Sequence, residues 1–259
     1  FVPDEWMVSI QYRIKTGHRL NLKDPKRFTE KLQWYKLNYR DPLMQQCVDK
    51  YDVREYVKSC GLKSILNECY GVYNTPEEID FDSLPNSFVL KDTLGGGGNS
   101  VILVENKNRL DWELTKKQMA RWTSQPVKLK HPGREWVYDG RPHRIVVEKY
   151  IQSDPQKGGL VDYKFFCFDG KIYCVYVMTD RTAGLKMAVY DSEFRPMNAY
   201  ISYDQKLQEV VPTPENYFEM CNIAQKLSSR FPHVRIDLYN QDGKIWFGET
   251  TFFDGSGYT

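Results

Sequence analysis

The sequence predicts an α+β fold, with helices first and antiparallel strands later in the chain. Residues 5–16 and 28–37 carry apolar side chains at helical spacing, so the first 46 residues are predicted to form a helical region. Farther on, Asp169-Gly170 and the stretch 240–243 each separate two runs rich in β-branched and aromatic residues, a pattern typical of β-hairpins. Helices and hairpins in separate parts of one chain indicate the α+β class.

The remaining elements follow from local signals. Residues 49–57 have an amphipathic pattern that Gly61 ends, which predicts a helix with Lys50 near its start. A lysine there is disfavoured by the helix dipole, which suggests that a ligand holds it. Thr29 is predicted to cap the helix over residues 28–37. The other predicted elements are strands at 87–91, 101–104, 144–151, 161–168, 171–178 and 187–190, and helices at 110–122 and 214–229.

The length and composition are those of an ordinary globular protein. The 259 residues include 27% charged and 41% hydrophobic residues, and the net charge of +2 argues against a surface that wraps nucleic acid. Six scattered cysteines lack zinc-ligand spacing, so we expect reduced thiols in a cytoplasmic protein. No apolar run approaches the ~20 residues of a transmembrane helix, and residues 1–4 are not typical of a signal peptide.

A strand that ends in Lys91 is followed by a glycine-rich loop, Gly95-Gly96-Gly97-Gly98-Asn99-Ser100. Four glycines expose backbone amides that can bind phosphate oxygens while the loop stays mobile. The order of residues is not that of a Walker loop. The pattern therefore indicates phosphate binding at Lys91 and the loop, with a plain flexible turn as the alternative.

The last hairpin carries polar residues on otherwise apolar strands. With a three-residue loop at 241–243, Asn240 would pair with Lys244, and Asp237 and Glu249 would be diagonal neighbours roughly 7 Å apart. Arg235 and Thr251 share their face through the two-residue period of the strand. Burying these groups is costly without charged partners, and a divalent cation carrying phosphates would compensate them well. The alternative is that both carboxylates are solvated.

These features together resemble the ATP-grasp superfamily and, more narrowly, the TupA-like ATP-grasp proteins of bacterial cell-surface polysaccharide and teichuronopeptide gene clusters. The resemblance extends through most of the chain in family order. The matching segments are 28–37, 49–57, 84–91, 162–170 and the closing hairpin. It implies two α+β lobes that clamp ATP between antiparallel sheets behind an N-terminal helical region. The expected divisions are 1–46 (helical region), 47–86 (preceding α/β lobe), 87–151 (small lobe with the glycine loop) and 152–259 (large lobe with the metal site).

The resemblance also implies roles for individual residues. The ATP phosphates would contact Lys50 and Lys91, and the loop with Gly96, Gly97 and Gly98 would close over them. The adenine amino group would bind Glu148, the adenine ring would lie against the backbone of Lys149, Tyr150 and Ile151, and the ribose would bind Asp162. Magnesium would bind Asp237, Glu249 and the hydroxyl of Thr251. The acyl phosphate and the later oxyanion would be stabilised by Arg235, which with Lys91 forms the catalytic pair.

Two departures from the family pattern concern these roles. The last metal position is usually asparagine in Glu-x-Asn, whereas this chain has Glu249-Thr250-Thr251, which leaves the number of magnesium ions open. The polar residues that usually precede the glycine loop are replaced by Asp92-Thr93-Leu94, so the phosphate contacts there are expected to differ.

The predicted function is that of a Mg-ATP-dependent carboxylate-amine ligase that acts through an acyl phosphate. From the resemblance, the acceptor would be a uronic-acid-type carboxylate of a polysaccharide such as capsule, joined to an amino acid or another amine. Candidate contacts to this anionic substrate are Lys164, Arg181 and Lys186. Two alternatives stay open: a glycosyltransferase, which requires a sugar-nucleotide site, and a nucleotide-binding module without turnover.

Overall fold

The fold consists of two antiparallel sheets with helices packed on them. The computed structural model describes residues 2–96, 100–127, 130–153, 159–179, 184–198 and 211–258. The helices are α1 (Asp4–Thr16), α2 (Phe28–Asn38), α3 (Pro42–Val48), α4 (Val53–Ser59), α5 (Trp112–Thr123) and α6 (Tyr217–Ser228). The strands are β1 (Cys69–Tyr73), β2 (Phe88–Asp92), β3 (Val101–Val104), β4 (Ile145–Lys149), β5 (Val161–Phe168), β6 (Lys171–Thr179), β7 (Lys186–Asp191), β8 (His233–Gln241) and β9 (Lys244–Thr251). The predicted α+β class is confirmed.

Two predictions about helix starts are wrong. The N-cap of α2 is Arg27, whose backbone N–H donates to Glu30 Oε2 at 2.9 Å, while Thr29 lies inside the helix. Residues 49–52 form a turn and α4 begins only at Val53, because Asp49 Oδ1 accepts the backbone N–H groups of Tyr51 and Asp52. Such local side-chain bonds compete with helix formation. Lys50 therefore lies in this turn, before the first turn of the helix.

The smaller sheet has the strand order β1-β4-β2-β3, with every pair antiparallel. Strand β1 was not predicted, because its five residues are half-buried and include Gly71. One face of this sheet packs against α5 through Phe88, Leu90 and Met119, which are fully buried. The other face carries Lys91 and the side chain of Glu148.

The larger sheet has the strand order β7-β6-β5-β8-β9, again fully antiparallel. Its apolar face packs against α6 and against α3 and α4, which together enclose the main hydrophobic core. Strands β5 and β8 lie at its centre, with residues such as Phe165 and Ile236 fully buried. The polar face of this sheet is thereby left for the candidate site.

The register of the last hairpin differs from the predicted one. The loop has two residues, Asp242 and Gly243, with φ of 51° and 79°, so Gln241 pairs with Lys244. Positive φ at both loop residues is the requirement of a type I′ turn. A bulge at Gly248 then inserts one residue, so Asp237 lies directly opposite Glu249 instead of diagonal to it. The shared face of the four polar residues is retained.

Within the part of the chain that the structure describes, no helix is both long and apolar enough to cross a membrane. The six cysteines are free thiols, three of them buried.

Candidate active site

Five charged side chains meet on the polar face of the larger sheet. Strand β5 contributes Lys164, β8 contributes Arg235 and Asp237, β9 contributes Glu249, and Asp254 follows β9 in a short 3-10 helix, Asp254–Gly257. Directly paired positions share a face, and the register pairs Lys164 with Asp237 and Asp237 with Glu249. We call these five residues the charged cluster.

Arg235 is the hub of the charged cluster. Its Nε and Nη2 atoms each lie 2.7 Å from an oxygen of Asp237, which is the bidentate geometry typical of strong Arg–carboxylate pairs. Nη2 also donates to Glu249 Oε1 at 3.0 Å, and Nη1 donates to Asp254. The guanidinium is thus held in one orientation by three carboxylates.

Lys164 lies on the other side of Asp237. Its ammonium forms an ion pair with Asp162 at 2.8 Å and donates to Asp237 Oδ2. Burial lowers the pKa of Lys164, but the nearby carboxylates Asp237 and Asp162 raise it more, so the net shift is upward. Burial raises the pKa of Asp237, and the charges of Arg235 and Lys164 outweigh this effect and lower it. Both groups are therefore ionised at neutral pH.

The carboxylates of the charged cluster are the type of donor that Mg²⁺ prefers. No group of three or more His, Cys, Asp or Glu side chains in the described ranges is arranged to hold a metal. Mg²⁺, however, is usually bound by one or two carboxylates with substrate phosphates and water supplying the rest. The charged cluster and Asp162 together place four carboxylates beside two cationic side chains, an excess of two negative charges that a divalent ion would balance. Thr251 Oγ1 lies 3.5 Å from Glu249 Oε1, next to the same donors.

A second ionic group lies on the smaller sheet. Glu148 is buried and accepts from Lys91 Nζ at 2.7 Å and from Arg54 NH1 at 3.2 Å. Arg54 belongs to α4, which packs with the larger sheet, so this contact joins the two halves of the molecule. Lys91 and Glu148, two of the residues predicted to bind the nucleotide, are thus neighbours on one face of the smaller sheet.

The predicted adenine hinge follows at the end of β4. The N–H of Lys149 donates to Glu68 O at 2.9 Å, and its carbonyl accepts from Asn67 Nδ2 at 2.7 Å. Lys149 is also the last residue of β4, where it pairs with Phe88 of β2. Tyr150 and Ile151, the other two residues of the predicted hinge, lie just beyond the strand.

Lys50 lies at the base of the glycine loop. Its backbone N–H donates to Thr93 O at 2.9 Å, and its ammonium donates to Gly95 O at 2.5 Å. Gly96 lies in the loop and is exposed, whereas Gly97 and Gly98 lie outside the described residues. The structure therefore brings Lys50 to the loop that was predicted to bind phosphate.

The three residues predicted to contact the substrate do not lie together in the described structure. Lys164 belongs to the charged cluster, and Arg181 lies outside the described residues. On strands β6 and β7, the sheet face that carries the charged cluster is formed by Met178 and its partner Met187. Lys186 pairs with Thr179, one position farther along. Since neighbouring positions of a strand point to opposite faces, Lys186 is on the other face of the sheet from the cluster.

Tyr138, Asp254 and Arg54 take part in the site although no sequence pattern indicated them. Burial, together with the charges of Glu135 and Glu249, raises the pKa of Tyr138, which keeps the phenol neutral beside the cluster. Tyr138 and Arg54 come from elements remote in sequence, and Asp254 lies in the turn just after β9; in none of these places does strand alternation or a motif mark the residue.

An Asp-x-Asp motif, of the kind that holds a sugar nucleotide in glycosyltransferases and was expected to be absent, does occur in this chain at Asp80-Phe81-Asp82. Its two acids lie in an exposed turn, in which Asp80 Oδ1 accepts the backbone N–H of Asp82 at 3.2 Å. Phe81 packs on Trp112 with ring centroids 4.1 Å apart. The motif has the features of a surface turn and lies on a different part of the chain from the charged cluster.

A polar cavity of about 470 Å³ adjoins the glycine loop. The base of the loop forms one wall, and the other wall is formed by the segment between α5 and β4, including Tyr138. An ion pair between Arg144 and Asp49 at 3.0 Å and a hydrogen bond between His143 and Asp92 at 2.8 Å fix this second wall. Its polar lining residues are Asp92, Ser100, Gln125, His131, Glu135, Tyr138, Arg141 and His143.

Comparison with known proteins identifies the architecture. A family model described as TupA-like ATP-grasp matches residues 30–259. No curated protein matches the sequence significantly.

Among solved structures, D-alanine–D-alanine ligase from Bacillus anthracis is 20% identical, with a TM-score of 0.50 over 80% of this chain and 57% of that one. The ADP complex of N5-carboxyaminoimidazole ribonucleotide synthetase is 13% identical, with a TM-score of 0.51 over 86% and 50%. An L-amino acid ligase from Bacillus licheniformis is 14% identical, with a TM-score of 0.50 over 88% and 49%. At these identities the likeness concerns the fold, and the chain spans about half the length of the proteins it resembles.

Proposed function

Because the chain belongs to the TupA-like ATP-grasp family, we propose that it is a Mg-ATP-dependent carboxylate-amine ligase. The observation that carries the proposal is the charged cluster on the larger sheet, with its surplus of carboxylates around a fixed guanidinium. The resemblance assigns nucleotide contacts to the ionic group at Glu148 and Lys91 on the smaller sheet. ATP would then bind between the two sheets.

The residues present are suited to phosphoryl transfer. In the first step the substrate carboxylate attacks the γ-phosphorus of ATP, which gives an acyl phosphate and releases ADP. Lys91 and Lys50 would hold the phosphates from the side of the glycine loop, and Arg235 would stabilise the transferring group from the side of the larger sheet. Bound to Asp237, Glu249 and Thr251, Mg²⁺ would supply positive charge that offsets the charge on the phosphates.

The second step requires electrostatic stabilisation more than a nucleophilic side chain. A neutral amine attacks the acyl carbon, a tetrahedral oxyanion forms, and phosphate leaves with its bonding electron pair while the amine loses a proton. Arg235 would stabilise the oxyanion, since its orientation is already fixed by three carboxylates. Lys164, held between Asp162 and Asp237, would provide a second positive charge.

For the substrate, we propose a hydroxylated carboxylate such as a uronic acid, with an amino acid or another amine as the nucleophile. The polar cavity beside the glycine loop supports this, because its lining offers hydroxyl, imidazole and amide groups that suit sugar hydroxyls. The resemblance to proteins of surface polysaccharide gene clusters points to the same class.

Thermal unfolding with and without Mg-ATP tests the proposal first. We expect Mg-ATP to raise the midpoint by several degrees, since a ligand at about 100 times its Kd adds ~2.7 kcal/mol. Part of this rise in midpoint should depend on Mg²⁺, and Glu249→Gln should lose most of that part. Glu193→Gln is the matched control, because Glu193 also pairs with an arginine, Arg195 at 2.9 Å, but lies on the surface. Asp237→Asn is less informative, since it removes the buried partner of two cations.

Turnover is then measured as ADP release in a screen of uronic acids with amino acids. A ligase releases ADP and phosphate only when both co-substrates are present. Stabilisation by a nucleotide sugar but not by Mg-ATP would contradict the proposal and favour a glycosyltransferase. Stabilisation by Mg-ATP without ADP release in any pairing would favour the nucleotide-binding module.

A further inference from the structure

Helix α1 carries an exposed apolar stripe. The side chains of Trp6, Ile10 and Ile14 are 70%, 52% and 77% exposed, and their spacing of four residues places them on one face of the helix. On the opposite face, Val8 and Tyr12 are fully buried against the rest of the protein. The helix is therefore packed on one side and leaves large apolar side chains uncovered by the described residues on the other. We call Trp6, Ile10 and Ile14 the α1 stripe.

A strongly basic segment begins at the end of this stripe. Residues 13–27 contain six cationic and one acidic side chain, a net charge of +5, whereas the whole chain carries only +2. All six cationic residues are exposed, and the one acid, Asp24, pairs with Lys26 at 2.8 Å. The cationic residues are Arg13, Lys15, Arg19, Lys23, Lys26 and Arg27. The small net charge of the whole chain thus hides one strongly basic segment.

From this combination we propose that α1 and residues 13–27 dock on the surface of an anionic lipid bilayer. Trp and Ile side chains on one face and Lys/Arg beside them are the features of helices that lie in the plane of a membrane interface. The α1 stripe would enter the boundary between headgroups and acyl chains, where the ring of Trp6 is favoured. The basic segment would contact the anionic headgroups, to which Lys and Arg side chains near the surface are attracted.

Other occupants fit less well. A second copy of the chain would cover the α1 stripe, but it would bring two basic segments of the same charge together, which costs energy. A soluble polyanion would satisfy the cations but leave Trp6, Ile10 and Ile14 in water. An anionic bilayer satisfies both, and the charged cluster of the active site takes no part in it.

Cosedimentation with lipid vesicles tests the proposal with the intact protein. We expect binding to vesicles of equal parts phosphatidylglycerol and phosphatidylcholine, little binding to pure phosphatidylcholine, and a loss of binding as salt rises. The double variant Ile10→Ser with Ile14→Ser should bind at least tenfold more weakly. Phe218→Ser is the matched control, because Phe218 on α6 is 78% exposed and lies outside the basic segment.

Three results would overturn the proposal. The first is no binding of the wild type to the anionic vesicles, and the second is equal binding by wild type and the double variant. The third is a concentration-dependent dimer in light scattering that the double variant abolishes, which would assign the α1 stripe to a second copy. Circular dichroism checks that the variants fold, and none of the readouts depends on ATP, so this test is separate from that of the ligase activity.

Discussion

At the scale of single residues, Arg235 illustrates how a buried charge is made tolerable. Its guanidinium is buried, and burial lowers its pKa, but Asp237, Asp254 and Glu249 raise the pKa more. The planar fork of arginine allows the bidentate contact to Asp237 together with the other two bonds, which the single ammonium of lysine cannot reproduce. The same rigidity suits a group that must stabilise charge on a substrate.

His233 gives a prediction about pH. It is buried in β8, its Nδ1–H donates to Cys167 O at 3.0 Å, and it stacks on Phe168 with ring centroids 4.6 Å apart. Its Nε2 has no hydrogen-bond partner among the described residues, so protonation would bury an unpaired charge. Burial lowers the pKa of His233 from 6.5 to about 4.

The sign of the effect follows from this lowered pKa. The unfolded chain takes up the proton near pH 6.5, whereas the folded chain takes it up only near pH 4. The free energy of unfolding is therefore unaffected above this range and falls as the pH drops through it, by about 3 kcal/mol in total. Urea unfolding across the range should show this fall in the wild type and lose it in His233→Gln. An equal fall in both, or loss of the fall in the exposed-site variant His18→Gln, would contradict the assignment.

At the scale of elements, alternation predicted the face on which the site lies but not its register. The two-residue period placed Arg235, Asp237, Glu249 and Thr251 together because one-sided burial fixes which face is polar. The bulge at Gly248 could not be read from the same pattern, since a bulge shifts pairing without changing composition. A Cβ at Gly248 would lie 3.0 Å from Asp237 O, so the close approach of the two strands explains the glycine.

Helices α2 and α4 show how far apolar periodicity predicts the ends of a helix. Apolar periodicity predicted α2 nearly to its ends, but the start of α4 depends on Asp49, whose side chain holds a turn before the helix. Two partners of the site could not be predicted either. Asp254, which contacts Arg235, lies in the turn after β9, where strand alternation has ended, and Arg54 is brought to Glu148 from α4 by tertiary packing alone.

Helix α2 also fastens the loop that carries Asp254. Lys36 is fully buried and its ammonium donates to Gly133 O at 2.8 Å and to Ser256 O at 2.9 Å. Gln33 adds bonds to the carbonyls of Ser256 and Gly257. Ser256 has a φ of 56°, a left-handed conformation that is costly for a residue other than glycine and needs such support.

Lys36→Met should therefore destabilise the protein and lower its turnover. Burial lowers the pKa of Lys36 to about 8, so the ammonium is still mostly charged at neutral pH. Its loss removes the donor to the half-buried carbonyl of Gly133 and one of the two donors to the carbonyl of Ser256, at a cost of about 1–3 kcal/mol in unfolding free energy. Urea unfolding measures the change. Lys31→Met, on the exposed side of the same helix, should change stability by less than ~0.5 kcal/mol, and an equal effect of the two variants would count against the role of Lys36.

At the scale of the whole molecule, the two sheets have separate hydrophobic cores of unequal size. Among the described residues, the core on the larger sheet contains thirty buried side chains and includes α3, α4 and α6, whereas the core on the smaller sheet contains nine. The ion pair between Arg54 and Glu148 connects the two halves. A nucleotide between the sheets would connect them further.

We therefore expect the smaller sheet to open before the larger one. In native-state hydrogen exchange, the amides of β2 and β4 should exchange with a lower opening free energy than those of β5 and β8. Mg-ATP should raise the protection of β2 and β4 more, because a ligand that contacts both sheets adds its binding energy to the opening of the weaker one.

Two methionines provide a matched pair for this prediction. Met119 in α5 and Met220 in α6 are both fully buried, one in each core. Truncation of either to alanine should cost about 2–5 kcal/mol in its own core. Met119→Ala should lower the opening free energy of β2 and β4 and leave β5 and β8 protected. Met220→Ala should lower the protection of all four strands, because the smaller sheet is anchored on the larger core through α4 and its Arg54 contact. A uniform loss of protection in Met119→Ala would mean that the two cores unfold as one unit.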